Sequence, residues 1–135
     1  MSFQEYRSKY ARKTEKINGE EWIYVESAGP GPSLIMMPGM QGTGDVFYKQ
    51  ILSLGDQVKL IALSYPADPS PEKLSDGLDE FCHRKGLQKT NLLGSSIGGY
   101  WAQIFALRNP ERIETLFIAN SLIDASSIQA KGQKP

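Results

Sequence analysis

The chain has 135 residues, enough for one domain that buries roughly two-thirds of its unfolded surface, and 15 Lys plus Arg balance 15 Asp plus Glu. Zero formal net charge gives no bulk electrostatic case for a nucleic-acid or acidic-membrane partner. Cys82 is the only cysteine, which excludes an intrachain disulfide framework; the first residues show no apolar leader, and no run approaches about 18 apolar residues, so a soluble, cytoplasmic protein is expected.

Taken in chain order, residues 1–13 read as a polar end. The basic residues Arg7, Lys9, Arg12, Lys13 and Lys16 are interrupted by acids and read as a solvated face. Thr14 to Asn18 forms an edge strand before the Asn18-Gly19 turn signal, and Trp22 to Glu26 pairs with it as a hairpin. Ser27 to Ser33 is a turn. Leu34 to Met37 is a continuous apolar run, as expected of a strand covered on both faces. The loop Pro38 to Gly44 follows, with Asp45 placed to cap a helix through Leu54 whose apolar side is Val46, Phe47, Gln50, Ile51 and Leu54.

Val58 to Ser64 is the next strand. Pro71 then falls in the first turn of a helix with a Leu74, Leu78, Phe81 stripe and Gly86 as its terminator. Asn91 to Leu93 closes a further short strand, a helix runs from Ile97 to Leu107, and Ile113 to Ala119 reads as another buried strand. The tail from Ala125 to Pro135 is polar. This order, β-β-β-α-β-α-β-α-β, selects a mostly parallel α/β sheet of about six strands with right-handed crossover helices, in a single domain spanning 1–135.

Gly94-Ser95-Ser96-Ile97-Gly98 fits G-x-S-x-G between a strand and a helix, the context that a nucleophile elbow requires. Such a turn holds Ser96 in a strained backbone conformation above the sheet, while Gly94 and Gly98 relieve crowding. The competing reading is a Gly/Ser turn of some other α/β protein. The amides of Ile97 and of Met40, in the loop after the strand Leu34 to Met37, are candidate donors to an oxyanion; for Met40 an ordinary Gly-rich turn is the alternative. Asp124 follows the last strand and is a weak candidate for an orienting acid, closure of the turn around Ser121 being the other reading. Asn120, Ser121, Tyr48, Tyr65, Tyr100 and Trp101 are candidate pocket residues, each with an equally good turn or core role.

A base is harder to find. His83 is the sole histidine and sits near the C-terminal end of its helix, at the opposite end of the sheet from Ser96. No His/Cys/Asp/Glu group has metal-site spacing, and the glycine loops match neither a dinucleotide fingerprint nor a phosphate-loop lysine pattern, so neither metal nor cofactor is expected.

The segments Gly42 to Leu52, Leu63 to Pro66, Leu92 to Gln103 and Ala119 to Asp124 resemble the α/β-hydrolase superfamily and, within it, the maspardin family, over roughly residues 20 to 125. The resemblance implies Ser96 at the nucleophile position and the Met40 and Ile97 amides in the oxyanion hole, with Pro38-Gly39 where many members have His-Gly. It also implies that the acid and histidine come from later strands, beyond Pro135, so that the chain is expected to hold a truncated fold with the nucleophile half alone. Strand 113–119 would then be an apolar edge open to a protein partner or to self-association. Maspardins are described as binding a receptor tail and associating peripherally with membranes, and are regarded as doubtful hydrolases. A non-catalytic binding or regulatory role therefore leads, ahead of an ester or acyl hydrolase completed by other sequence and of a remnant without independent role.

Overall fold

In the computed structural model, residues 2–39, 42–66 and 70–119 are described. They form β1 (Lys13–Ile17), β2 (Glu20–Glu26), β3 (Ser33–Met37), β4 (Lys59–Ser64), β5 (Thr90–Ser95) and β6 (Ile113–Ala119), with helices α1 (Phe3–Lys9), α2 (Tyr48–Leu54), α3 (Pro71–Arg84) and α4 (Ile97–Arg108). The strands make one sheet in the order β1-β2-β4-β3-β5-β6. The β1–β2 and β2–β4 pairs are antiparallel, and β4–β3, β3–β5 and β5–β6 are parallel. The expected mostly parallel α/β sheet and its antiparallel start are both present.

Alternation within apolar strands supplies two cores. Ile35 and Met37 of β3 and Ile61 and Leu63 of β4 face α3 and α4, where Trp22, Leu74, Leu78, Phe81 and Phe105 pack. Met36, Leu60 and Ala62 face the other way, toward α1 and α2, meeting Tyr6, Phe47 and Ile51. A side-chain period of two is what lets one apolar run serve both layers. Ser70 caps α3 by accepting a hydrogen bond from the Lys73 amide at 3.1 Å, Pro71 occupies its first turn, and Gly86 follows its end with φ 72°.

Four expectations are corrected. The polar N-terminal stretch contains α1, held by a Ser2/Glu5 capping box and anchored by Tyr6, which is fully buried; a seven-residue helix with one apolar anchor gives little periodic signal. Asp45 is not the helix cap. Thr43 caps a 3-10 helix at Gly44–Phe47 that precedes α2, and the Asp45 carboxylate instead takes hydrogen bonds from the Tyr6 hydroxyl and from Arg12, tying α1 down. Because that 3-10 turn changes the angular spacing, Phe47 and Ile51 face the core while Val46 and Leu54 are exposed. Lastly, β6 is only half-buried: Phe117 is 50% and Ile118 40% exposed, because β6 is an edge strand among the described residues.

Candidate functional site

The strand order creates the site. From β3 the chain moves through α2 to β4 on one side, whereas from β5 it moves through α4 to β6 on the other. Right-handed crossovers in opposite directions place their helices on opposite faces, as the two cores confirm for α2 and α4. The loops leaving β3 and β5 therefore diverge, opening a crevice above the carboxyl ends of two adjacent strands. Register puts Met37 beside Gly94. Two residues further on, Gly39 lies beside Ser96: a Cβ on Gly39 would be 3.4 Å from the Ser96 Cβ.

Ser96 has φ 56° and ψ −124°, a conformation that costs a non-glycine residue roughly 1–3 kcal/mol. Its surroundings impose this. The Ser96 amide donates to the Ala119 carbonyl at 3.0 Å, extending the β5–β6 ladder to the turn, and its own carbonyl accepts from the Gly99 amide at 2.9 Å as α4 begins. A Cβ at Gly94 would run into the Gly98 carbonyl and the Gly99 Cα, and one at Gly98 into the Met37 and Pro38 carbonyls. Both glycines are thus needed for the strand and helix to meet this closely, and Ser96 is left exposed at the apex. Ile97 is the first residue of α4, so its N–H has no intrahelical acceptor and stands at the positive end of the helix.

The facing loop is fixed by the end of β4. The Tyr65 hydroxyl donates to the Pro38 carbonyl at 2.5 Å, and the Tyr65 amide to the Gly42 carbonyl at 2.7 Å. The Gly44 amide donates to the Ser64 hydroxyl at 2.9 Å. Burial holds the Tyr65 phenol far above its ordinary pKa, so it remains a donor. Its ring meets Trp101 edge-on at 4.7 Å, which joins the loop to α4. The Tyr-Pro pair at the end of this strand is visible in the sequence, but which carbonyl the hydroxyl reaches is not.

Of the sequence-derived site residues, Ser96 and Ile97 lie together at the elbow. Met40, Asn120, Ser121 and Asp124 lie outside the described residues. Tyr65 and Trp101 border the crevice, whereas Tyr48 packs with Phe3 and Tyr6 against the other face and belongs to the second core. His83 is exposed in the last turn of α3, which runs back to the start of β5; it stands at the far end of the sheet from Ser96. Cys82 is buried, which pushes its thiol pKa up to about 12 and leaves it inert as a nucleophile. Among the described residues no group of three or more His, Cys, Asp or Glu is placed to hold a metal, and no helix is long and apolar enough to cross a membrane. A hollow of about 240 Å³ lies elsewhere, between the β1–β2 hairpin and α3, lined by Trp22, Leu74, Gly77 and Lys73.

A mostly parallel sheet with this strand order, carrying a strained serine between strand and helix, defines an α/β-hydrolase fold. Solved structures agree: a carboxylesterase from Bacillus subtilis superposes with TM-score 0.75 at 19% identity, covering 97% of this chain and 53% of that one. A ligand-free epoxide hydrolase gives 0.76 at 24% identity, covering 84% and 43%. In sequence, maspardin of Homo sapiens is 38% identical over 96 residues, 69% of this chain and 31% of the relative. No protein-family model matches the chain. The chain is a maspardin-like member of the α/β-hydrolase superfamily, and it spans about a third of the length of the maspardins that it matches.

Proposed function

We propose that this chain is a maspardin-like binding or regulatory module on an α/β-hydrolase fold, without autonomous catalysis. The observation that carries this reading is the separation of Ser96 from the only histidine. An elbow exposes and orients a hydroxyl, but a serine at its ordinary pKa needs a base within hydrogen-bond reach to become a nucleophile. His83 stands at the other end of α3 and cannot serve. The partner surface in this reading is the edge that β6 forms among the described residues, where Phe117 and Ile118 offer apolar contact beside a strand that could extend the sheet. A protein partner or a second copy of this chain fits that edge, and the cytoplasm is the compartment in which the module would act.

A second reading is favoured by the strained serine. Ser96 would be the nucleophile of an ester or acyl hydrolase, with the Met40 and Ile97 amides as oxyanion donors and an acid and histidine contributed by other sequence, Asp124 being the nearest acid candidate.

Light scattering after size exclusion, with amide exchange across residues 113–119 and labelling by a fluorophosphonate probe, tests both. The binding reading expects association or partner capture that slows exchange at 113–119, with Ser96 unlabelled. Labelling of Ser96 in a monomer of this chain alone would overturn it. Labelling only after a histidine-bearing segment is supplied would favour the second.

A further inference from the structure

The opposite end of the sheet carries a charge arrangement that the elbow does not use. Glu26 ends β2, Lys13 opens β1, Lys59 opens β4 and Lys85 follows α3, so all four converge at the amino ends of the parallel strands. The Glu26 carboxylate is 8% exposed and has the three ammonium groups at 3.3, 3.4 and 2.8 Å from Lys13, Lys59 and Lys85 respectively. Three cations against one anion leave two positive charges unmatched. The lysine side chains are 53%, 39% and 22% exposed, so the cations lie outward and the carboxylate beneath them. An anion approaching from solvent meets ammonium groups first.

A shallow basin continues this patch. Lys59 and Lys89 both line it, together with Ser33, Gln88, Gly31 and Gly86, and no acidic residue is among its lining. On the other side of Lys59, Asp56 is engaged by Lys9 at 3.3 Å, and the Tyr24 ring lies 5.1 Å from the Lys85 ammonium. Neither supplies a further negative charge free to neutralise the cluster. The buried carboxylate gathers like charges that would otherwise repel, which is preorganisation for a multiply charged anion. Lysine ammonium groups bind phosphate as compact point charges, without the bidentate geometry of a guanidinium.

We propose that Lys59 and Lys85, gathered by Glu26, together with Lys89 of the adjoining basin, form a binding site for a phosphate-bearing ligand at the end of the sheet opposite Ser96. Either a soluble polyphosphate or a lipid headgroup presents that chemistry, and the test separates them. Backbone amide shifts of the full 135-residue chain are followed during titration with tripolyphosphate, then in Lys89→Gln, Lys85→Gln and, as control, Lys73→Gln in the first turn of α3. Lys89→Gln leaves the Glu26 cluster intact, so its effect is separable from any change in folding.

The site is supported if shifts centre on Lys59, Gly86 and Lys89, and if Lys89→Gln weakens binding by about fivefold while Lys73→Gln does not. Co-sedimentation with phosphatidylcholine vesicles containing an anionic phospholipid, lost in Lys89→Gln, assigns the headgroup as the source; shifts without co-sedimentation assign the soluble anion. Absence of shifts at millimolar tripolyphosphate, or equal weakening by Lys73→Gln, would overturn the proposal.

Discussion

Tyr65→Phe removes one oxygen from the residue that holds the loop after β3. The lost interaction is the hydrogen bond to the Pro38 carbonyl, in a part-buried position beside Gly98. An unsatisfied buried acceptor costs about 1–3 kcal/mol, whereas the edge-on contact with Trp101, worth about 0.5–1.5 kcal/mol, survives in Phe. The expected loss of unfolding free energy is therefore about 1–2 kcal/mol, read by urea denaturation. Tyr65→Ala, which also removes the ring, should cost about 3 kcal/mol or more. Local opening should follow the same free energy. The amides of Gly42, Gly44 and Tyr65, all bonded within this loop and strand end, should exchange about tenfold faster in Tyr65→Phe, and Leu92 in β5, where it opens by global unfolding, should follow the fall in global stability. Unchanged stability within about 0.3 kcal/mol together with unchanged exchange in the loop would refute the clamp.

The elbow's strain makes a second test: Ser96→Gly should be more stable than Ser96→Ala by about 1 kcal/mol, since Ala retains the φ 56° penalty and Gly does not; equal stabilities would contradict the backbone argument. Gly98→Ala should lower soluble yield and cost about 3 kcal/mol or more through backbone collision, whereas Gly39→Ala, whose Cβ meets Ser96 at ordinary contact distance, should cost less than about 1 kcal/mol. The Glu26 cluster predicts a pH dependence. Burial alone would raise the Glu26 pKa, but Lys85, with Lys13 and Lys59, outweighs it and holds the carboxyl below its ordinary 4.5. Its contribution is thus present above that value and is lost as pH falls through the folded pKa, so Glu26→Gln should flatten the acid limb of a stability profile measured from pH 6 downward.

Legibility in the sequence followed physical scale. Strands β3 and β4 announce themselves because four or more consecutive apolar residues need cover on both faces, and α3 because Pro71, its apolar stripe and Gly86 mark start, face and stop. The elbow was readable because Gly94 and Gly98 flank a serine at the one junction where bare backbones must touch. By contrast, α1 rests on Tyr6 finding Asp45, a contact 39 positions away that no local window contains. The start of α2 misled for a related reason: Asp45 is a good cap by composition, but Thr43 takes that role and frees the acid to pair with α1. The Tyr65 clamp depends on β3 and β4 being neighbours, a fact of topology rather than of sequence spacing.

The last rung of the β5–β6 ladder is made by Ser96 itself, through its amide to Ala119. The serine's backbone is therefore part of the same hydrogen-bonded strip as the exposed edge carrying Phe117 and Ile118. A displacement of Ala119 is thereby coupled to the torsion at Ser96, and a change at Ser96 to the position of Ala119. Such linkage is reciprocal in free energy. The elbow is thus tied to the strand beside it as well as to the helix that it opens.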